Sequence, residues 1–241
     1  MTLLTLRKLH KWVALVVGIQ LFMWTLSGLV FALLKHEAVS GEHLTAKPQV
    51  PNLAAEAALM DPTAWIETDS GRIVHEVMLR PLDGGWVYHL VRDNGIELRD
   101  AFDGAPVVID SARVRRFAVD HYRGSGRLVG IQFLAEPTLE TRQAGATWRA
   151  TFDDPAETSL YFSADGGALV ATRTDAWRVF DFFWMLHTMD YAGRDDFNNP
   201  LVILVTSASL WVALTGVLLL FRVFRWTKVP PREAGVDAEV T

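Results

Sequence analysis

The sequence predicts an integral membrane protein with two transmembrane helices and, between them, an exported α+β domain. Three observations predict this fold class. Two runs of 23 and 21 residues contain no charged side chain. The segment between them is long enough to form a core of its own and contains an internal repeat. Basic residues stand at the outer ends of both runs.

The two uncharged runs are residues 12–34 and residues 201–221. At 1.5 Å per residue, each forms a helix that crosses the roughly 30 Å hydrocarbon core of a bilayer. Asn199-Pro200 suits an N-cap followed by proline at the first helical position, so the second span is expected to begin there. A cleaved signal peptide is the competing interpretation of the first run, with Ala38-Val39-Ser40 as its cleavage site, but signal segments have shorter apolar regions.

Charge predicts the orientation of the chain. Residues 35–200 hold 16 lysines and arginines against 25 aspartates and glutamates, so this loop is acidic. Seven basic residues flank the spans on the other side: Arg7, Lys8, Lys11, Arg222, Arg225, Lys228 and Arg232. Both termini are therefore predicted to be cytoplasmic and the loop exported. An acidic exported surface argues against binding of nucleic acid, and the absence of cysteine excludes disulfides and thiolate ligands.

The exported segment repeats at an offset of 62 residues. Four pairs share this register: Trp86 with Trp148, Leu98 with Leu160, Asp103-Gly104 with Asp165-Gly166, and Val107-Val108 with Leu169-Val170. Each copy is predicted to contain an aromatic-led strand, a second strand, an Asp-Gly turn of type I′ and a short third strand. Helices are predicted over 111–122 and 175–191, one after each copy, and over 53–60 before the first. The segment is thus predicted to be two small α+β modules in tandem.

A resemblance rests on three features: the opening Arg7-Lys8-Leu9-His10-Lys11-Trp12, the tandem units with Asp-Gly turns, and Leu186-His187 shortly before the second span. Together they resemble the PepSY-associated transmembrane family, here as a two-span member. The resemblance implies a protein of the bacterial inner membrane with periplasmic PepSY-like modules. Some larger members resemble haem-containing membrane reductases of siderophore iron uptake, but those have about four spans.

These expectations divide the chain into seven parts. They are a cytoplasmic N-terminus (1–11), a first transmembrane helix (12–34), two periplasmic PepSY-like modules (35–110 and 111–173), an aromatic-rich interfacial helix and turn (174–199), a second transmembrane helix (200–221) and a cytoplasmic tail (222–241).

His187 is the strongest candidate for chemistry. Trp177, Phe180, Trp184, His187 and Tyr191 share one helical face, and apolar residues cover most of the rest. A buried imidazole without a partner costs about 1–3 kcal/mol, so His187 is expected to have one. A carbonyl, a carboxylate such as Asp190 and a haem iron all remain open. The helix is expected to form a collar at the periplasmic face of the bilayer, with His187 just above it.

Two further histidines are candidate ligands of haem b. His10 lies at the cytoplasmic mouth of the first span, where it is either an interfacial side chain or an axial ligand of the iron. His36 lies at the opposite face, about 39 Å from His10 along a continuous helix, so these two cannot share an iron. His36 and His187 are then the only bis-histidine pair expected within one chain. His36-Glu37 and Glu42-His43 could alternatively form a weak hard-metal site.

The spans also have the means to associate. Ala14 with Gly18 and Ser209 with Ala213 form small-xxx-small pairs, and polar groups lie at mid-depth: Gln20, Thr25, Ser27, Thr206, Ser207 and Thr215. They could pack the two spans of one chain together or join two copies. Because the second span has no histidine, a haem on His10 would need its other ligand from another subunit, such as the partner in a homodimer.

Two functions remain in competition. The first is a b-haem protein, a component of a haem-dependent membrane reductase, that passes electrons across the membrane to periplasmic ferric-siderophore complexes. The second is a non-catalytic module that is anchored in the bilayer and binds or regulates a partner in a membrane complex. The exported segment has no recognisable catalytic constellation, which favours the second.

Overall fold

The computed structural model describes residues 3–46, 50–53, 58–67 and 73–226. Two long helices pack against each other. Helix α1 is Leu3–Leu33 and helix α6 is Pro200–Trp226. Within them, Leu4–Leu33 and Pro200–Arg222 are long and apolar enough to cross a membrane. The first span therefore begins earlier than the uncharged run predicted, because the helix continues through its basic N-terminal turns.

The predicted start of the second span is confirmed. The backbone N–H of Val202 donates to Asn199 Oδ1 at 3.0 Å, and Pro200 is the first helical residue. Asn199 thereby satisfies one of the amide groups that have no partner at a helix N-terminus, and proline occupies a position that needs no N–H.

The segment between the spans contains two four-stranded antiparallel sheets. The first consists of β1 (Val74–Leu82), β2 (Gly85–Arg92), β3 (Gly95–Asp100) and β4 (Pro106–Val107), in that order across the sheet. The second consists of β5 (Leu128–Leu134), β6 (Thr147–Phe152), β7 (Ser159–Ser163) and β8 (Leu169–Arg173), again in sequence order.

The repeat relates the two sheets strand for strand. Trp86 lies in β2 and Trp148 in β6, while Leu98 lies in β3 and Leu160 in β7. Each sheet also has a first strand, β1 or β5, that the repeat did not predict. The repeat did not reveal β1 and β5, because no aromatic or turn residue in one has an equivalent in the other at an offset of 62 residues.

The predicted type I′ turns are wrong. Such a turn needs positive φ at both central residues. In the first copy Gly104 has a positive φ but Asp103 does not. In the second copy the positive φ is at Gly167, the residue after the Asp-Gly pair. The pair with two positive φ angles is Asp83-Gly84, at +54° and +77°, in the hairpin between β1 and β2. The Asp-Gly pairs of the repeat lie instead in longer turns.

One helix follows each sheet, as predicted. Helix α4 is Ser111–His121 and helix α5 is Asp175–Thr188. Helix α5 ends three residues earlier than predicted, because Met189 adopts a left-handed φ of +57°. Two short helices, α2 (His36–Ser40) and α3 (Thr63–Glu67), and one 3-10 turn (Glu42–Leu44) occupy the linker after α1. Of the helix predicted over 53–60, residues 54–57 lie outside the described residues and the others are not helical.

Both sheets share one apolar core around α4. Val114, Phe117 and Ala118 of α4 pack between Leu98 of β3 and Leu160 of β7. Asp110 caps the helix by accepting a hydrogen bond from the N–H of Arg113 at 2.8 Å. Because the two copies bury their apolar faces against the same helix, they form one extramembrane body.

Candidate functional site

Helix α5 leaves this body and runs antiparallel to the outer half of α1. At its beginning, the Thr174 hydroxyl donates to the carbonyl of Ala38 at 2.8 Å. Further along, the rings of Phe180 and Phe31 lie 4.9 Å apart. His187, in the last turn, reaches Ser27 of α1. Aromatic side chains thus line the whole contact between α5 and α1.

Side chains from both spans satisfy the carbonyl groups at the end of α5. Gln20 Nε2 donates to the carbonyl of Leu186 at 3.1 Å, and Trp24 Nε1 donates to that of His187 at 2.7 Å. Asn199 Nδ2 donates to the carbonyl of Thr188 at 2.9 Å. The last carbonyls of a helix have no partner within it, and in an apolar setting each unsatisfied group is costly. These three donors therefore fix the end of α5, and His187 with it.

The imidazole of His187 has one bonded and one free nitrogen. Its Nδ1 lies 2.8 Å from Ser27 Oγ. The rings of Phe31 and Trp24 lie 5.6 and 6.4 Å from it, centroid to centroid. Within the described part of the chain, nothing forms a hydrogen bond with Nε2. The predicted need for a partner is met at Nδ1 by a hydroxyl, which is none of the three partners expected from the sequence.

A charged loop follows His187 at the end of α5. The loop after α5 contains Asp190, Arg194, Asp195 and Asp196, and the last two are exposed. The β5–β6 loop of the second sheet reaches it, since Arg142 donates to the carbonyl of Gly193 at 2.6 Å. Groups this polar need water, so the hydrocarbon must end at about the level where α5 ends and α6 begins.

A buried carboxylate ties this loop to α5. Asp181 is 3% exposed and accepts hydrogen bonds from the guanidinium groups of Arg142 and Arg194. Arg142 comes from the β5–β6 loop and Arg194 from the loop after α5. The triad thus joins the β5–β6 loop, α5 and the loop that leads to α6 at one point.

His10 repeats the arrangement of His187 near the other end of α1. Its Nδ1 lies 2.8 Å from Thr215 Oγ1 of α6, and no described residue forms a hydrogen bond with its Nε2. The ring packs against α6 at Gly216, where a Cβ would lie at an ordinary van der Waals distance of 3.5 Å from His10 Cε1. Thr215 precedes Arg222 by seven residues, which is about 10 Å along the helix. His10 is therefore inside the span, deeper than the predicted position at its mouth.

The structure does not bring His36 and His187 together. His36 is exposed at the start of α2, two residues from Ala38, which contacts the beginning of α5. His187 lies 13 residues further along α5, or about 20 Å. Two axial ligands of one iron must lie within a few ångströms of each other, so this pair cannot share a haem in one chain. The described residues also contain no group of three or more His, Cys, Asp or Glu that could hold a metal ion.

A cavity of about 1000 Å³ opens between the two sheets. Its lining includes Arg80, His89, Phe117, His121 and Arg123. His89 is 6% exposed, and burial lowers its pKa, with Arg80 adding to the effect. Its Nε2 has no hydrogen-bond partner among the described atoms. The sequence repeat did not predict this cavity, because the residues that line it come from segments far apart in the sequence.

The polar residues of the spans have a role that sequence reasoning missed. Ser27 and Thr215 were expected to join helices, and each does so by contacting a histidine of another helix. Gly18 does not bring α6 close, since a Cβ there would meet no atom of the described structure within 4 Å.

Comparison with known proteins gives one match. The family model described as the PepSY-associated TM region matches residues 7–235, nearly the whole chain. No curated protein and no solved structure matches.

Proposed function

The chain belongs to the PepSY-associated transmembrane family, and from this premise we propose that it is a b-haem protein that carries electrons across the bilayer. One observation carries the proposal. His10 and His187 lie at two depths of the same helix bundle, each with Nδ1 bonded to a hydroxyl and Nε2 without a partner among the described residues. A neutral imidazole with a free Nε2 is the usual protein ligand of haem iron.

The residues around each ring fit such a group. Trp24 and Phe31 flank His187, and Trp211 lies 6.4 Å from His10, so both rings stand among large apolar surfaces. A bound haem would supply reversible one-electron chemistry at each depth. The protein's part is to hold each imidazole in one orientation, exclude water and set the distance between the two levels. Ser27, which contacts His187, follows His10 by 17 residues on α1, or about 25 Å.

A second copy of the chain is our proposed source of the missing ligands. At neither depth does the described part of the chain offer a second imidazole. In a homodimer with its axis along the membrane normal, equivalent histidines of the two copies lie at the same depth. Two copies would also contribute four long helices, as a four-helix bundle requires. Another subunit of a membrane complex is the alternative donor.

We propose the inner membrane as the location, with both termini cytoplasmic and the two sheets in the periplasm. Helices α1 and α6 are antiparallel and the sheets lie between them in sequence, so the sheets are on the side opposite the termini. Basic residues concentrate at the terminal side, which favours the cytoplasm. The acceptor would then be periplasmic, and by family resemblance a ferric-siderophore complex.

The test is a reduced-minus-oxidised absorption spectrum of the purified full chain. We expect a b-type band that decreases in H187A and in H10A, because each variant removes one ligand. H36A is the matched control: it removes an exposed histidine and leaves the band unchanged. Colourless protein from haem-replete cells would overturn the proposal, as would an equal loss of the band in H36A.

A second function is favoured by the cavity between the sheets. Its volume of about 1000 Å³ and its mixed lining of arginine, histidine and apolar side chains suit a ligand or a segment of a partner. In this alternative the chain is a non-catalytic binding or regulatory module, and the spans only anchor it. Co-purification of one stoichiometric partner with colourless protein would favour it. Replacing Arg80 and Arg123 by glutamine should then release the partner, whereas glutamine at exposed Arg115 should not.

A further inference from the structure

The hydroxyl of Ser27 determines which nitrogen of His187 carries the proton. Ser27 Oγ lies 2.8 Å from the carbonyl oxygen of Met23, 3.0 Å from that of Trp24 and 2.8 Å from His187 Nδ1. A hydroxyl has one proton. Two oxygens 2.8 Å apart repel each other unless a proton lies between them, so that proton must point to the carbonyl. His187 Nδ1 must then be the donor, and Ser27 Oγ accepts.

Thr215 stands in the same relation to His10. Its Oγ1 lies 2.8 Å from the carbonyl oxygen of Trp211, 3.1 Å from that of Val212 and 2.8 Å from His10 Nδ1. The single hydroxyl proton of Thr215 must likewise point to a carbonyl oxygen, so Nδ1 of His10 is the donor and Thr215 Oγ1 the acceptor. The two sites are built from different helices, since Ser27 is on α1 and Thr215 on α6. The arrangement therefore occurs twice independently in one molecule.

Both hydroxyls are buried. Ser27 is 0% exposed and Thr215 is 7% exposed, and they are buried polar side chains within long apolar helices. Water cannot readily replace them as acceptors. The Nδ1–H tautomer is thus favoured at both rings, and the lone pair of each neutral imidazole is on Nε2, the atom that a metal needs.

We propose that Ser27 and Thr215 are positioning residues that fix the tautomer and the ring orientation of His187 and His10. The part of this inference that concerns iron rests on the proposed function, but the tautomer itself does not. A hydroxyl that already donates to a carbonyl is a neutral acceptor. It accepts a hydrogen bond from Nδ1–H, and the proton stays on the ring nitrogen. The rings therefore lack the anionic partner that a carboxylate would supply.

The first experiment tests Ser27 in the full chain with ¹⁵N-labelled histidine. In the wild type we expect the His187 resonances of an Nδ1–H tautomer. S27A should give a mixture of tautomers and weaken haem binding about 10- to 100-fold, which is the usual effect of removing such a partner. S27T keeps the hydroxyl and should restore both. S209A is the control, because Ser209 also donates to a carbonyl within its helix but forms no hydrogen bond with a histidine in the described part of the chain.

The second experiment repeats the design at Thr215. T215V should change the tautomer of His10 and leave that of His187 unchanged, and T215S should rescue it. T25V is the control, since Thr25 donates to the carbonyl of Leu21 on its own helix and, among the described residues, bonds to no histidine.

The outcomes separate the two proposals. An Nε2–H tautomer in the wild type, or S27A and T215V that match their controls in tautomer and haem affinity, would overturn the positioning role. Colourless wild-type protein whose Nδ1–H tautomer is lost in S27A would overturn the haem function and support the tautomer assignment.

Discussion

Helices α4 and α5 occupy equivalent places after the two sheets, yet one stays in the core between the sheets and the other leaves it to pack along α1. Their N-caps correspond, since Asp110 accepts from Arg113 N and Thr174 accepts from Trp177 N. Seven residues after each cap, α4 has Phe117 and α5 has Asp181, and both are almost fully buried. Phe117 packs in the core between the sheets, whereas Asp181 binds two arginines.

The difference shows how one repeat unit can serve two environments. Helix α4 has charged residues on its outer face and one apolar stripe, so it is buried on one side only. Helix α5 is apolar nearly all round and needs a second apolar surface, which α1 provides. Its one buried charge lies on the side of the β5–β6 loop. The position of the helix in the repeat is conserved within the molecule, while its composition decides its partner.

The largest effect is expected from D181A. It leaves Arg142 and Arg194 without their shared carboxylate in a partly buried place, which typically costs 3–5 kcal/mol. Chemical denaturation of the full chain in mild detergent, followed by tryptophan fluorescence, measures the change in free energy of unfolding. D120A is the control in α4, because Asp120 is exposed and should change this free energy by less than about 0.5 kcal/mol. Equal effects of the two variants would contradict the importance of the triad.

F117A is expected to cost about 3 kcal/mol, because it opens a cavity in the shared core of the sheets. The loss should fall on the extramembrane body and leave α5 attached to α1. Hydrogen exchange measures this division: amides of β3 and β7 should lose protection, and amides of α5 should keep it. F182A, at an exposed phenylalanine of α5, is the control of matched size. Uniform loss of protection over the whole chain would show that core and membrane collar are one cooperative unit.

The two caps should differ by a smaller amount. D110A removes one hydrogen bond to a helix N-terminus, worth about 1 kcal/mol. T174A removes the equivalent bond and also the bond to the carbonyl of Ala38, so we expect about 2 kcal/mol. T174S keeps both hydrogen bonds and should be nearly neutral. The same denaturation measurement compares them, and a T174A effect no larger than that of D110A would contradict a role for Thr174 in joining α5 to α2.

The smallest effect is expected from acid. The N–H of Asp196, followed by those of Gly193, Asp195 and Ala192, donates to Asp190 and lowers the pKa of this carboxyl below its ordinary value. The stability it gives to the loop is therefore full above an unfolded-state pKa of about 3.9. It decreases as pH falls through the lower folded-state pKa. Exchange of the Asp195 and Asp196 amides should accelerate in that range, and in D190N at neutral pH. Exchange that does not respond to D190N would contradict the assignment.

Sequence reasoning predicted the spans, the repeat and the helices after each copy, because each depends on local composition and periodicity. It also singled out His10 and His187. It did not find β1 and β5, whose residues have no equivalents at the offset of 62. The pairing of His36 with His187 failed because it rested only on both residues lying on the same side of the bilayer, which does not bring them close together. In the structure α5 runs down along α1, and only tertiary contacts such as Thr174 with Ala38 reveal this direction.

The joint at Asp181 has a mechanical consequence. The carboxylate of Asp181 holds together the β5–β6 loop, α5 and the loop before α6. The body that contains the two sheets therefore cannot rotate freely relative to the long helices. A displacement of the β5–β6 loop also displaces α5, whose last turn contains His187. A contact at the β5–β6 loop is thereby coupled through α5 to the position of the His187 ring.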